Sequence, residues 1–274
     1  MTTGFARHAF VDSLPWSAVA IIAVLLVTYL ASRIAHKHSV IDTAWGLLFC
    51  AAALAAFIGS SDRGDTGRRW LLLVLVLVWG LRLAVHIGRR SIGKGEDPRY
   101  EEMLADRGQL QTIALVYGLQ GVLAFLISAP VLVGMFELAP LTPLAYLGVA
   151  IWLLGLFFEA VGDWQMEQFK AQKIAGKLPK GALMDRGLWR YTRHPNYFGD
   201  ACVWTGIFLV CLERWPGILT LFSPVIMIYL LAFGSGKRVL ERSMAKRPGY
   251  REYMARTSGF IPMPPRRQDS AATH

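Results

Sequence analysis

About seven stretches of this chain stay almost free of charge over the ~20 residues a helix needs to cross a hydrocarbon layer. They run over 14–31, 39–59, 70–88, 113–136, 142–162, 197–212 and 215–233. Apolar and polar residues do not alternate within them, which excludes an outer-membrane barrel. Polar segments punctuated by Pro and Gly separate the runs, so the pattern predicts an all-α, polytopic integral membrane protein. The first run is not a cleavable leader: acidic Asp12 precedes it, basic residues follow, and no small-residue cleavage site is present. With no repeat and no Gly/Ser linker, residues 1–274 form a single membrane domain. Its expected parts are four spans in 1–136, three in 137–262, and a flexible tail over 263–274.

Composition agrees, with 54% hydrophobic and only 18% charged residues where a soluble domain carries about a quarter charged. The charge of +10 adds topology. Lys and Arg number 23 in the loops after the first, third and fifth runs together with the tail from Gly236, against 5 in the opposite segments. That asymmetry predicts an outside N-terminus and a cytoplasmic C-terminus. A nucleic-acid binder would concentrate its basic charge on a soluble surface, so no nucleic-acid partner is expected. Cys50, Cys202 and Cys211 lie far apart in or beside apolar runs, which suits small buried hydrophobes better than a disulfide or thiolate site. No metal site is expected either, since only His36 and His38 are close together among the six histidines.

Ionisable groups inside spans are costly, at about 2.5–3.5 kcal/mol or more each at mid-bilayer. Several occur here. Asp42 opens the second run with Trp45 on its face; Trp79, Arg82 and His86 share a face of the third at spacings of three and four. Glu159, Asp163 and Glu167 form a ladder at spacings of four leaving the fifth run, with Lys170 three residues on. Arg82 and His86 could simply snorkel, or pair with Asp42 to hold a bundle together. Polar faces on three spans at one depth favour a site instead.

Arg190-Tyr-Thr-Arg-His-Pro-Asn-Tyr-Phe-Gly-Asp200 should be a turn leading into the sixth span. It places Arg190, Arg193 and His194 before the helix, with Asn196 as its N-cap. Cations at a helix N-terminus make an anion site. A capped, basic loop would account for the cations alone, but not for Asn196, Tyr197 and Asp200 at their spacing.

The segment Arg193-His-Pro-Asn-Tyr-Phe-Gly-Asp200, with Trp204 after it, resembles the signature of the steroid 5α-reductase C-terminal domain, a group that includes sterol C14 and C7 reductases and the bacterial DUF1295 branch. The bacterial branch is similar also at Ser39-Val-Ile-Asp-Thr-Ala-Trp-Gly46, at Trp79-Gly-Leu-Arg82 and over 250–262. The resemblance implies seven spans and a reductase of the bacterial inner membrane with NADPH in a cytoplasmic-facing cavity. Carried over by position, Asp163, Lys170 and Lys177 are the polar and cationic cofactor contacts. Asn196 and Asp200 match the signature's Asn and acidic residue, and Lys237 a cationic position that is usually Arg. The Glu and Tyr with which the steroid enzymes polarise the substrate carbonyl have no secure counterpart.

Reduction of a conjugated C=C requires hydride at the β-carbon and an acid that polarises the carbonyl. Asp42 and His86 are the candidates for the electrophilic role, with Arg82 shaping the charge around them. Lys170, Lys177, Arg190 and Arg193 suit the phosphates of NADPH. No G-x-G-x-x-G follows a strand, so the cofactor would bind among helices and loops. The expected partners are a lipid-like substrate and the membrane lipids; no span carries a small-xxx-small dimer face. Two rivals stand. Isoprenylcysteine and phospholipid methyltransferases, which use S-adenosylmethionine, carry a related Arg-His-Pro-x-Tyr turn, usually without the Asn and the acidic residue. A transporter would show inverted repeats and broken midplane helices, and no such symmetry is evident.

Overall fold

The computed structural model describes residues 4–234 and 236–266. Among them there is no strand, only two isolated bridges, Phe5 with Glu137 and Thr192 with Ser258. The helices are α1 Arg7–Ala35, α2 Val40–Gly59, α3 Thr66–Ser91, α4 Pro98–Leu104, α5 Gln109–Ile127, α6 Ala129–Gly134, α7 Pro143–Ile174, α8 Pro195–Cys211, α9 Phe222–Ala232, α10 Lys237–Met244 and α11 Tyr250–Arg256.

Six segments of the described residues are long and apolar enough to cross a membrane: α1, α2, α3, α5, α7 and Gly217–Met244. The remaining expected span, 197–212, is α8, whose 17 residues lie at the lower limit for crossing hydrocarbon. The fourth run, 113–136, is not one helix. It breaks after α5, and Pro130 sits in the first turn of α6, where a residue without an N–H is tolerated.

The chain falls into two compact units, one holding the residues up to Gly148 with Ile207–Ser223, the other Val149–Gly206 with the residues from Pro224 on. The expected break near 136 therefore lies inside the first unit.

In the first unit, α1 inverts the soluble pattern. Ser13, Ser17, Thr28 and Ser32 are buried, while Trp16, Ile22, Val27 and Ile34 lie outside. Three of these hydroxyls donate to carbonyls of their own helix, Ser13 to Phe10 at 2.8 Å, Thr28 to Val24 and Ser32 to Tyr29 at 2.7 Å, so their burial costs little. Small residues also let α2 meet α3: a Cβ on Gly46 would lie 2.3 Å from the Gly80 carbonyl oxygen. Trp45, Phe49 and Trp79 continue that seam as edge-to-face pairs at 5.1 and 5.4 Å. Asp65 caps α3 by accepting from the Arg68 N–H at 2.8 Å.

The second unit is built on α7 and the start of α8, whose backbones touch where a Cβ on Gly155 would come 2.5 Å from the Gly199 oxygen. The chain after α11 returns beside the turn that precedes α8. Arg193 N–H donates to Ser258 O at 2.9 Å, Thr192 Oγ1 to Phe260 O at 2.8 Å, and Met263 N–H to Tyr191 O at 3.0 Å. Arg266 N–H reaches Arg256 O at 2.9 Å, so the expected flexible tail is tied down over 263–266; its remainder, 267–274, lies outside the described residues.

Candidate functional site

The helix α8 begins at Pro195, whose fixed φ suits the first helical position. Asn196 is therefore not the N-cap that the sequence suggested; it lies in the first turn, where its Oδ1 accepts from the Tyr197 N–H at 3.1 Å. Its amide reaches Asp163 Oδ1 on α7 at 3.4 Å, a long contact that joins the acidic ladder to the α8 terminus. One turn earlier on α7, Glu159 is only 2% exposed and packs on Gly199, where a Cβ would meet its backbone nitrogen at 2.8 Å. Asp200 stands one turn beyond Asn196 on the same face. The His194 ring stacks on Tyr197, with centroids 5.1 Å apart and planes 3° from parallel.

Beside this lies a charged cluster organised by Glu241 of α10. Its Oε1 accepts from Arg193 Nε at 2.8 Å and faces His194 Nε2 at 3.0 Å. Arg193 Nη1 donates to the carbonyls of Met254 at 3.0 Å and Thr257 at 2.5 Å. Burial holds His194 below the ordinary imidazole value, though Glu241 pulls the other way, so the ring is neutral at pH 7. Lys237 stands one turn before Glu241. A Cβ on Gly259 would meet Lys237 Nζ at 2.8 Å and Arg193 Nη2 at 3.0 Å. Because that position is glycine, both cations come closer to the backbone there than a side chain would allow. Two cations against one carboxylate leave a positive charge there, which fits a phosphate oxygen.

The second unit thus brings together Asp163, Asn196 and Tyr197 with His194, Arg193 and Lys237. Lys170 and Lys177 are exposed further along α7 and in the loop after it. Glu241 was missed in the sequence, although Lys237 and Glu241 share a helical face at spacing four.

Asp42, Arg82 and His86 belong to the first unit, all half-buried. Asp42 has partners the sequence did not suggest. Its Oδ1 accepts from Tyr100 Oη at 2.7 Å and its Oδ2 from Arg99 at 3.1 Å. Arg99 also grips Asp97, which caps α4 by accepting from the Arg99 N–H at 2.9 Å. The neighbouring Glu96 carboxylate accepts from the backbone N–H groups of His38 and Ser39, so it closes the N-terminus of α2. Burial and the Asp42 carboxylate push the Tyr100 phenol well above its usual value, so it stays protonated. Tyr100 is the second residue missed, and only the Asp97-Pro98 helix start hinted that α4 was ordered.

Fold and site together define a polytopic α-helical membrane protein with a buried ionisable cluster at the start of α8. Residues 28–257 match the family described as protein of unknown function (DUF1295), and the chain belongs to that family. No curated protein and no solved structure matches it.

Proposed function

We propose that this protein is a membrane-embedded, NADPH-dependent reductase of a conjugated C=C in a steroid-like or other lipid substrate, related to the steroid 5α-reductases. The observation that carries this reading is the pair of cations, Lys237 and Arg193, that converge at Gly259 against the single carboxylate of Glu241, on the turn that leads to the Asp163–Asn196 contact. Lys237 and Arg193 would hold phosphate oxygens, while Asn196, Asp163 and Asp200 offer the hydrogen-bonding groups that ribose and carboxamide require. NADPH, when bound, supplies the hydride. The flat His194–Tyr197 pair presents an aromatic edge beside these groups, and Glu241 keeps Arg193 and His194 in place. On the first unit, Asp42 and His86 remain the groups proposed to polarise a carbonyl, with Arg82 one helical turn before His86. Tyr100 holds the Asp42 carboxyl in place by donating its hydroxyl to it.

The proposed location is the bacterial inner membrane with the C-terminus in the cytoplasm. Of the few basic residues on the opposite side, Arg68 and Arg69 are buried and bonded internally, which deepens the asymmetry of free charge. A C-terminal reporter active only in the periplasm would overturn that orientation.

The direct test is ligand-dependent melting of the purified protein with NADPH, NADH and S-adenosylmethionine. NADPH should stabilise most, because its 2′-phosphate adds charge-assisted contacts. Asn196→Ala and Asp200→Ala should each weaken NADPH binding while leaving the melting temperature of the free protein unchanged. Stabilisation by S-adenosylmethionine alone would replace the reductase with a methyltransferase. No shift with any of the three, together with substrate flux in proteoliposomes, would make it a transporter.

A further inference from the structure

An open cavity of about 200 Å³ lies on the other side of α7 from Asp163. Gln172 follows Asp163 by nine residues, two and a half helical turns, so the two project from opposite faces. One wall is the stripe Trp164, Gln168, Phe169 and Gln172; the other is the returning loop at Met184 and Arg186. Gln165 closes the end near Gly187 by accepting from the Leu188 N–H at 2.9 Å. No carboxylate lines the space, and its single charge is Arg186, which is exposed and makes no hydrogen bond or ion pair among the described residues. Asp185 beside it is already engaged by Arg256.

Depth selects the ligand. The apolar part of α7 from Pro143 to Gly162 rises about 30 Å, the thickness of the hydrocarbon. Trp164 then lies about 3 Å and Gln168 about 9 Å beyond it, through the layer where lipid headgroups sit. Trp164 is 57% exposed, as an interfacial tryptophan is. Exposed Lys173, Lys177 and Lys180 continue the positive field on the aqueous side.

We propose that this cavity is a binding site for the headgroup of an anionic phospholipid in the leaflet at the C-terminal end of α7. The Arg186 guanidinium holds the phosphodiester, the Gln168 and Gln172 amides donate to phosphate or glycerol oxygens, and Trp164 and Phe169 carry the glycerol and upper acyl carbons. A nucleotide phosphate would satisfy Arg186 equally. The position of the cavity, at headgroup depth and turned away from Asp163 and Asn196, assigns it to lipid. This site is independent of the reductase reading.

The experiment is native mass spectrometry and equilibrium lipid exchange on the full-length protein, in phosphatidylcholine nanodiscs with and without phosphatidylglycerol. Wild type should retain phosphatidylglycerol over phosphatidylcholine, and Arg186→Gln should lower that retention about tenfold, the loss of one charge-assisted pair. Gln168→Leu, which keeps the charge, should lower it by less, and Lys173→Gln, outside the cavity, should lower it far less than Arg186→Gln. Equal retention by wild type and Arg186→Gln would overturn the proposal. So would a Lys173→Gln effect as large as that of Arg186→Gln, since only bulk charge would then be read. Displacement of the lipid by inorganic phosphate or by NADPH would hand Arg186 to a soluble ligand and end the lipid assignment.

Discussion

Two arginine–glutamate pairs, one in each unit, are built from the same chemistry and are placed for different work. Arg68 and Glu213 have side chains 0% and 1% exposed, and each is held by several structural bonds. Arg68 donates to the carbonyls of Val210, Ala139 and Pro140 as well as to Glu213. Glu213 also accepts from the Thr142 hydroxyl and from the N–H groups of Thr142 at 2.7 Å and Ala145 at 3.1 Å. That pair stitches the chain ahead of α7 to the chain after α8 and leaves nothing to a ligand. Arg193 and Glu241 are 9% and 12% exposed, share their carboxylate with His194, and have Lys237 beside them at a glycine. A sealed pair balances its charges, whereas an open pair with a surplus cation can exchange its environment for an anion. The burial of the partners, not the residue types, separates a staple from a candidate site.

The largest effect should come from breaking the sealed pair. Arg68→Met leaves the Glu213 carboxylate buried without its cation and should cost about 3–5 kcal/mol, read as a collapse of the detergent melting temperature or of expression. Lys237→Gln is the counterpart at the open pair. It should weaken NADPH about tenfold or more, the value of a hydrogen bond to a charged group, and leave the melting temperature of the free protein nearly unchanged. If Lys237→Gln destabilises the free protein as Arg68→Met does, the two pairs are both structural and the contrast fails. Gly259→Ala sharpens the same point. Its Cβ must displace Lys237 Nζ and Arg193 Nη2, so NADPH affinity should fall severalfold without removal of any charge.

The open pair should also be visible in pH. Burial lowers His194 in the folded protein below its ordinary 6.5, so between those two values the unfolded chain binds a proton that the folded chain does not. Stability from this group is complete above about 6.5 and declines as the pH falls toward the folded value. Melting temperature followed from pH 7.5 to 5.5 should therefore drop in wild type and drop less in His194→Gln; parallel slopes would show that another group titrates. The smallest effect belongs to Arg99, a half-exposed partner of Asp42 and Asp97. Arg99→Gln should change stability by no more than about 1 kcal/mol, as exposed pairs do. Tyr100→Phe, by contrast, should lower turnover with NADPH affinity intact if the Asp42 carboxyl that it holds is the acid.

Much of this protein could be read directly from its residues. In a membrane every backbone group must be satisfied within its own segment, so a span announces itself locally by an uninterrupted apolar run. For the same reason the ladder on α7 and the turn before α8 stood out as polar residues where packing does not need them. The broken fourth run was misread because its continuous hydrophobicity concealed the interruption at Ser128 and Pro130. The partners of Asp42 were illegible for another reason: Tyr100 and Arg99 are distant in sequence, and neither carries a pattern that points back to α2. Arg68, counted among loop charges, is in fact fully buried.

The sequence by itself determined that the chain is helical, polytopic and membrane-embedded, and which apolar segments carry ionisable residues, since hydrophobic length and the high cost of buried charge are properties of a local stretch. Only the tertiary structure decided which charges are consumed and which stand ready. Glu241 bonds Arg193 and His194 across nearly fifty residues, Glu213 seals Arg68, Gly259 lets two cations converge on the backbone, and a loop returns along α7 to wall an open cavity with Arg186. Each of these depends on distances between remote side chains, and the free energy of a charge is set by what stands within a few ångströms of it rather than by its neighbours in the chain.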